Sequence, residues 1–571
     1  MANAIIDTFD LWTTAQTLKT SNRGLSASNQ SLLGIRKLRE LILELALQGK
    51  LTQSFRESNP ELVSGPNSAK ALIEKIINER LRNIKEGKIK KQVLLPEVVE
   101  DEKSFELPET WEWVRLQQII QISSGDGLIA SKMESNGTVP VFGGNGINGY
   151  HNKGNITKPT IVIGRVGFYC GSIHITPKLA WVTDNAFITT FSEENIYINF
   201  LYWLLKGTNL KEDESATAQP VISGRKVYPI VVGLPPLAEQ HRIVAKVDEL
   251  MALCDQLEQQ QTSSNEVHQT LVDTLLGTLT NAKSPEDFAE AWQRIANHFD
   301  TLLTTEYSID QLKRTILQLA MMGKLVPQNP DDEPASELLK RIAKEKARLE
   351  KEGKIKKQDV FPKFNHEVMP FELPYGWEWV KMERLCNLIT DGTHLTPHYT
   401  EHGRVFISAQ NIKPFKFIPE KHRWVSEEDY QGYIKNRKPE KGDILLTRVG
   451  AGIGEAAVID TDLEFAIYVS VGLLKISKAN IDPNYIALWL NSPLGREHSS
   501  KNTYGKGVSQ GNLNLSLIRD FEISLPPLAE QYLIVSKVDE LFALCDSLKE
   551  RLRDAQALQN QLAEAVVEQA V

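Results

Sequence analysis

The chain has 571 residues, of which 41% are hydrophobic and 24% are charged. These are ordinary values for globular domains, and they exclude a collagen, a disordered tail protein and a membrane protein. The length predicts roughly three to five domains. The 65 Lys and Arg against 73 Asp and Glu leave a formal net charge of −8. That sum argues against a nucleic-acid partner, although a whole-chain total hides charge differences between segments.

The start of the chain and its cysteines favour a cytoplasmic protein. No apolar run approaches the ~18 residues that span a bilayer, and Asp7 and Asp10 stand where a signal peptide would be basic. The cysteines contain no Cys-x-x-Cys pair, so neither a disulfide framework nor a zinc site is predicted. The four cysteines are Cys170, Cys254, Cys386 and Cys545.

Four blocks of sequence each occur twice in the same order. The blocks pair 42–51 with 316–325, 86–92 with 352–358, 105–114 with 371–380, and 234–240 with 525–531. The second and third blocks are displaced by 266 residues and the fourth by 291, so the stretch before the fourth block is 25 residues longer in the second copy. These stretches, 115–232 and 381–524, barely align. The chain is therefore a repeated frame that holds a first insert and a second insert.

In the frame, a helical pattern follows each Leu-Pro-Pro-Leu-Ala-Glu-Gln block. Apolar residues spaced 4, 3, 4 and 3 predict a coiled-coil-like seam on a helix from Leu237 to about Gln261 and on its mate from Leu528 onward. Two further helix pairs are expected at 35–51 with 312–325 and at 69–85 with 336–351. Cys254 and Cys545 fall in the seam, which favours a buried apolar role over redox or metal chemistry. The other seam residues are Ile243, Val247, Leu250 and Leu257, and Ile534, Val538, Leu541 and Leu548.

The inserts are patterned as short strands separated by turns, with one helix near the end of each, at 197–205 and 483–490. Strands are expected at 160–163, 181–182 and 187–191, and at 405–407, 444–446 and 466–474. This texture predicts a compact α/β or α+β domain in each insert. Residues 114–232 hold ten Lys and Arg against eight Asp and Glu, and residues 380–524 hold eighteen against seventeen. The inserts are thus the less acidic parts of the chain.

Turn-like clusters of Gly with Asn, Gln, Arg, Lys and His occur in both inserts. Such side chains pair with base edges and phosphates, whereas Asn-Gly and Asp-Gly also make plain hairpin turns without any ligand. The pairs Gly164-Arg165-Val166-Gly167 and Thr447-Arg448-Val449-Gly450 resemble repeat mates, which favours a shared phosphate or structural role for the two arginines. The candidate DNA-contacting residues are Asn145, Asn148, Lys153, Arg165, Arg225 and Lys226 in the first insert, and Thr393, His394, Arg448, Lys506, Gln510 and Asn512 in the second.

No motif in the chain supports catalysis. The glycines at 450–454 lack the spacing of a dinucleotide-binding loop, and Asp482-Pro483 is typical of a helix start. Three hypotheses remain open from the residues alone. They are a DNA reader, a spacer protein whose two coiled-coil-separated modules bind a non-DNA ligand, and an enzyme with a cryptic centre.

With Trp-Glu-Trp-Val, a variable insert, Leu-Pro-Pro-Leu-Ala-Glu-Gln and Lys-Val-Asp-Glu-Leu each occurring twice, the chain resembles the DNA-specificity subunit of type I restriction-modification systems. The resemblance implies an α+β fold with two α/β target-recognition domains, long antiparallel coiled-coil-like helices and a pseudo-two-fold repeat. It divides the chain into an N-terminal helical region at 1–106, a first recognition domain at 107–236, a central helical spacer at 237–372, a second recognition domain at 373–527 and a C-terminal helix at 528–571.

The same resemblance implies a non-catalytic subunit that reads a bipartite, asymmetric site on double-stranded DNA. Its long helices space the two recognition domains and dock two modification subunits, and two restriction subunits complete the complex. S-adenosylmethionine, ATP and Mg²⁺ are used by those partners, so no cofactor is expected on this chain.

Overall fold

The structure is a computed structural model that describes Trp12, Thr17–Leu18 and residues 30–570, apart from residues 88, 90–91, 168–169, 211–220, 356–368, 502 and 505–510. The chain forms two compact units. Unit 1 comprises Met1–Ser264 and Ala555–Val571, and unit 2 comprises Asn265–Asp554. Among the described helices, none combines the length and apolar character that a membrane crossing requires.

Unit 1 contains seven described helices before the first long helix, and eleven strands. The helices are α1 Leu33–Leu47, α2 Gln53–Ser58, α3 Pro60–Val63, α4 Ala69–Lys85, α5 Leu116–Ile119, α6 Ile198–Gly207 and α7 Gly224–Val227. The strands are β1 Thr17–Leu18, β2 Gln30–Ser31, β3 Glu112–Arg115, β4 Ile120–Ser124, β5 Val139–Gly143, β6 Gly146–His151, β7 Ile161–Gly164, β8 Ile173–Ile175, β9 Trp181–Val182, β10 Ala186–Phe191 and β11 Val231–Leu234.

The long helix α8, Leu237–Asn281, starts in unit 1. The later helices are α9 Pro285–Asn297, α10 Phe299–Leu302, α11 Glu306–Met321, α12 Ala335–Lys351, α13 Met382–Leu385, α14 Glu427–Ile434, α15 Pro483–Asn491, α16 Pro493–Lys501, α17 Leu515–Arg519 and the long α18 Leu528–Ala570. The strands of unit 2 are β12 Glu378–Lys381, β13 Cys386–Asp391, β14 Tyr399–Thr400, β15 Arg404–Ile407, β16 Ile412–Lys413, β17 Lys416–Phe417, β18 Arg423–Val425, β19 Ile444–Thr447, β20 Ala456–Val458, β21 Phe465–Ile467, β22 Val471–Ile476, β23 Thr503–Tyr504, β24 Asn512–Leu513 and β25 Glu522–Leu525.

The strands of the two inserts pair in the same way. An antiparallel sheet of order β4-β10-β7-β8 in unit 1 has the counterpart β13-β22-β19-β20 in unit 2. A second sheet contains one parallel pair in each insert, β5 with β9 and β15 with β21. The first and last strands of each insert also pair, β3 with β11 and β12 with β25. The α+β fold class and the internal repeat are therefore confirmed.

One predicted strand, 466–474, is wrong because the structure divides it. Phe465–Ile467 and Val471–Ile476 belong to different sheets, and a turn between them is closed by a hydrogen bond from the Val471 amide to the Tyr468 carbonyl at 2.9 Å. The chain crosses from one sheet to the other at this turn. Since both sheets of the insert are buried here, the apolar run continues through the turn and hides it from a periodicity argument.

The long helices are longer than their seam predicts. Helix α8 has 45 residues and α18 has 43, whereas the seam in α8 ends near Leu257. A second apolar stripe extends α8, because Val272, Leu276 and Leu279 are buried in a cluster within unit 2. The end of the helix is capped by Lys324, whose ammonium donates to the carbonyls of Thr280 and Ala282.

The frame helices pack against their inserts through repeated contacts. On α4, Arg80 Nη1 donates to the carbonyl of Gln117 at 2.6 Å. On α12, Lys346 Nζ donates to the carbonyl of Glu383 at 2.7 Å. Burial lowers the pKa of both cations. The same contact between frame helix and insert therefore occurs in both copies, with arginine in the first and lysine in the second.

Candidate functional site

The Leu-Pro-Pro-Leu-Ala-Glu-Gln block contributes a buried carboxylate that joins each insert to its helix. In the first copy, Glu239 is fully buried at the start of α8. Its Oε2 accepts from the Trp111 indole at 2.8 Å, and its Oε1 accepts from Thr52 at 2.6 Å and from Arg56 at 2.5 Å. The repeated tryptophan and glutamate are thus partners across 128 residues.

In the second copy, no cation among the described residues forms an ion pair with the buried carboxylate. Glu530 Oε2 accepts from the Trp377 indole at 2.9 Å, and its Oε1 accepts from the amide of Gln328 at 3.1 Å. Only 2% of Glu530 is exposed. Burial raises the pKa of the Glu530 carboxyl, because removal of water disfavours the charged form and no described cation pairs with it.

The glutamine of the same block fixes the insert helix. Gln240 donates to the Pro235 carbonyl and accepts from the Tyr197 amide, which precedes α6. Gln531 donates to the Pro526 carbonyl and accepts from the Asp482 amide, which precedes α15. The sequence analysis identified this block as the boundary between insert and helix, but it did not predict the hydrogen bonds that its Glu and Gln make. The identity of this Glu and this Gln in the two copies could have indicated that they have a structural role.

The Asp482-Pro483 helix start is confirmed. Asp482 caps α15 by accepting from the Asn484 amide at 2.9 Å. Tyr485 is fully buried, and its hydroxyl donates to the Ser524 carbonyl at 2.5 Å. Both residues have structural partners in the core of unit 2.

In the first insert, Arg165 lies directly after β7 at one end of the antiparallel sheet. Its Nη1 donates weakly to the Asp184 carbonyl at 3.4 Å and to Ser124 Oγ at 3.5 Å. Its guanidinium lies 5.3 Å from the centre of the Phe187 ring. Within the described residues it forms no ion pair with a carboxylate. Arg165 is therefore a half-buried cation whose charge is not neutralised by a neighbouring acid.

Several other candidates of the first insert surround this end of the sheet. Asn145 is exposed in the hairpin turn between β5 and β6, and a Cβ on the preceding Gly144 would lie 2.5 Å from the Val166 carbonyl. The Ile222 amide donates to the Arg165 carbonyl. Arg225, which is exposed, and Lys226, which is half-buried, follow Ile222 in the sequence and lie on α7. Asn148 is exposed on β6 and Lys153 is exposed beyond it. Their DNA contacts stay predictions.

In the second insert, Arg448 lies directly after β19 and is buried, with 7% of its side chain exposed. Its Nη1 donates to Asp391 Oδ2 in a short ion pair, and its Nε donates to the Leu513 carbonyl at 2.9 Å. Its charge and its Nε and Nη1 donors have internal partners, and its DNA contact stays a prediction. Of the two roles considered for this arginine, phosphate contact and structural support, its surroundings favour structural support.

The remaining candidates of the second insert cluster at the same end. Thr393 is buried, and its hydroxyl accepts from the Leu395 amide at 3.2 Å, so it is a turn residue. The side chain of His394 is 70% exposed, and its Nε2 lies 3.1 Å from Asp391 Oδ2. Asn512 is exposed and forms a bridge with Val449. Lys506 and Gln510 lie outside the described residues.

Arg165 and Arg448 are repeat mates in the fold. Both begin the sequence Arg-Val-Gly-x-x-x-Gly, and their carbonyls accept from the Ile222 and Leu513 amides. The position opposite differs, because β4 ends in Ser124 and β13 ends in Asp391. One scaffold therefore presents a cation in the first insert and neutralises it in the second.

The seam residues of the long helices face their own unit. Ile243 and Val247 are buried in unit 1, and Ile534 and Val538 are buried in unit 2. Leu250, Leu257, Leu541 and Leu548 are partly buried against the same clusters. These side chains pack each helix against its own unit. Their part in subunit contact stays a prediction.

Cys254 and Cys545 are buried as predicted, and Cys170 and Cys386 are buried as well. Cys254 and Cys545 lie in the clusters of units 1 and 2, and burial raises the pKa of both thiols. Burial also raises the pKa of Cys386 to about 12. These thiols are therefore protonated packing groups.

Comparison with known proteins identifies the family. A family model described as the type I restriction modification DNA specificity domain matches residues 108–267 and 374–555. The type I restriction enzyme EcoAI specificity subunit of Escherichia coli is 37% identical over 99% of each chain. The EcoEI specificity subunit of the same species is 35% identical, also over 99% of each chain. A chain in a solved structure of the type I R-M system aligns with a TM-score of 0.44 at 17% identity, over 82% of this chain and 98% of that one.

The chain belongs to the family of type I restriction enzyme specificity subunits. It covers these relatives over nearly their full length. Specificity subunits are the non-catalytic members of type I enzymes. The alternative of a spacer protein that binds a non-DNA ligand is not favoured by this membership.

Proposed function

We propose that this chain reads a bipartite, asymmetric DNA site, with one half-site recognised by each insert. The observation that carries the proposal is the pair of matched sheets whose ends carry different side chains, Arg165 facing Ser124 in one and Arg448 facing Asp391 in the other. Sequence is read by side chains at base edges, whereas the scaffold only positions them. Two copies of one scaffold with different tips are suited to two different half-sites.

The domain boundaries follow from the same proposal. The recognition domains are residues 107–236 and 373–527, and the segments 1–106, 237–372 and 528–571 form the helical parts. This division is supported by the strand pairs that close each insert, β3 with β11 and β12 with β25. The buried Glu239 and Glu530 joints would transmit the position of each long helix to its insert.

The proposed complex contains two modification subunits and two restriction subunits beside this chain. Their S-adenosylmethionine, ATP and Mg²⁺ would remain on those partners. The inserts carry only small positive charges, so we expect weak DNA binding by the isolated chain and much of the phosphate neutralisation from the partners.

The test uses Arg165 and Ser124. In the full-length chain with its modification subunit, Ser124→Asp places a carboxylate where the second insert has Asp391, and we expect it to neutralise Arg165. Binding to DNA should weaken by about 1–3 kcal/mol, with the defect confined to one half-site. Ser124→Asn is the matched control of similar size without charge.

A footprint decides between the outcomes. Loss of protection over one half-site by Ser124→Asp, with the other half-site and complex assembly retained, supports modular reading. Loss across the entire site with either variant contradicts it. Equal binding of wild-type chain to specific and scrambled duplexes would contradict DNA recognition altogether.

A further inference from the structure

The longer second insert contains a segment that has no counterpart in the first. Between β15 and β19 the chain adds the β16–β17 hairpin and helix α14 on either side of β18, which pairs with β15 as β6 pairs with β5 in the first insert. After α14 ends at Ile434, the sequence Lys435-Asn436-Arg437-Lys438 follows. The added segment therefore ends in three cations within four residues.

Arg437 is held at the same end of the sheet as Asp391. Its Nη1 donates to the main-chain carbonyl of Asp391 at 3.0 Å and to that of Gly392 at 2.7 Å. The residue is half-buried. Among the residues that the structure describes, Arg437 has no carboxylate within ion-pair distance. One nitrogen is thus fixed by the main chain while the charge stays uncompensated by an acid.

The cations next to Arg437 differ in whether they have a carboxylate partner. Lys438 forms an ion pair with Glu464 at 2.7 Å. Arg404 is also paired, with Glu464 at 3.1 Å. Lys435 is exposed and, within the described part of the chain, forms no ion pair. Glu464, which follows β20, thus pairs with Lys438 and Arg404, whereas Arg437, Lys435 and Arg423 form no ion pair within the described residues. Of these three cations, Arg437 is the one whose side chain is bonded at the end of the sheet.

The partners of the Arg437 guanidinium resemble those of Arg165 more closely than the partners of Arg448 do. Arg165 also has its Nη1 near a main-chain carbonyl, that of Asp184, without a carboxylate partner. Arg448 is the repeat mate of Arg165 in the backbone, yet Asp391 neutralises it. The second insert therefore supplies from its added segment the uncompensated guanidinium that the first insert has at the end of β7.

We propose that Arg437 is the guanidinium with which the second insert contacts DNA, assisted by Lys435. This rests on the proposed function. A guanidinium fixed through one Nη1 keeps Nε and Nη2 for a planar pair of acceptors, which DNA offers as the guanine O6 and N7 atoms or as two phosphate oxygens. Arg448 is then a structural residue that holds Asp391 and the end of the sheet.

The test uses the full-length chain with its modification subunit and a random-sequence duplex library. The wild-type complex should select two specified blocks separated by unspecified bases. Arg437→Gln removes the charge and shortens the side chain while keeping a polar amide group. We expect about a 5- to 150-fold loss of affinity for the selected duplex. Arg423→Gln is the matched control, because Arg423 lies in the same insert, on β18, and its guanidinium lies 4.4 Å from the Tyr399 ring centre.

The base preferences and the salt dependence of the variant distinguish a contact to guanine from a contact to phosphate. A guanine contact predicts that one position of a single block loses its preference, while a phosphate contact predicts unchanged blocks and a shallower dependence of binding on salt. Unchanged affinity, blocks and salt dependence for Arg437→Gln would overturn the proposal, as would an equal loss for Arg423→Gln. If the wild-type complex selects no bipartite sequence, the proposed function itself fails. Hydrogen exchange of β13 checks that the variant stays folded.

Discussion

The two tryptophan–glutamate joints make a matched pair for testing how charge is held in a buried site. Replacing Trp377 by Phe removes the indole N–H that donates to Glu530 Oε2 at 2.9 Å. Water cannot replace this donor, because the carboxylate is buried. Trp111→Phe removes the equivalent 2.8 Å bond to Glu239. There, however, Arg56 keeps its ion pair with the carboxylate at 2.5 Å.

The magnitudes separate the two variants. A hydrogen bond to a charged group is worth about 1.5–3 kcal/mol, and the smaller ring adds a cavity cost that is similar in both copies. We expect Trp377→Phe to lower the local opening free energy by about 2–4 kcal/mol. Trp111→Phe should lower it by at least about 1 kcal/mol less, because the Glu239 charge remains compensated. The difference between the copies isolates the value of the cation.

The pH dependence has a defined sign. Burial raises the pKa of Glu530 above its value in the unfolded chain. The stability that this group contributes is therefore fully present below the unfolded pKa of about 4.3 and is lost as pH rises through the folded pKa. Trp377→Phe removes a donor that favours the carboxylate, so the loss should extend to higher pH. Glu530→Gln should flatten this dependence.

Native-state hydrogen exchange is the suitable assay, because a chain of two compact units does not unfold in one two-state step. The amides of β12 and β25 report on the Glu530 joint, and those of β3 and β11 report on the Glu239 joint. Equal losses of protection in the two variants at every pH, or a larger loss for Trp111→Phe, would refute the reasoning.

Three further predictions concern stability and reactivity. Gly323→Ala should destabilise unit 2 by more than about 1 kcal/mol in hydrogen exchange, because Gly323 has φ +66° and a Cβ would lie 2.4 Å from Pro374 Cγ; an unchanged exchange rate would contradict this. Asp391→Asn should cost about 3–5 kcal/mol by the same measurement, because Arg448 would remain buried without its counter-charge, and a cost below 1 kcal/mol would speak against it. The Cys386 thiol, with its pKa raised to about 12 by burial, should resist a thiol reagent at pH 8 until guanidinium unfolds the chain, and rapid labelling of the folded chain would disprove its burial.

Much of the architecture was predictable from local pattern. The frame helices 69–85 and 336–351 agree with Ala69–Lys85 and Ala335–Lys351 to within a residue, because helix periodicity and end signals are local properties of the chain. The seam on α8 and α18 and the burial of Cys254 and Cys545 follow from the same spacing. The repeat itself required only the comparison of the chain with itself.

The partners of the polar side chains could be identified only from the tertiary structure. Arg165 and Arg448 have the same local sequence, yet one is uncompensated and the other is paired with an aspartate 57 residues away. Arg437 reaches the main chain of a residue 46 positions earlier in the chain. Glu239 and Trp111 were both recognised as repeated residues, but their hydrogen bond was not.

The sequence by itself thus determined the repeat, the frame helices and the family resemblance, because each depends on periodicity or on identity between copies. Only the tertiary structure decided which cations have a carboxylate partner within the chain. The physical reason is that a charge is neutralised by whichever group strand pairing brings within a few ångströms, and those groups lie far apart along the chain. A basic residue in a turn indicates a candidate contact, and its neighbours in space decide whether that contact is possible.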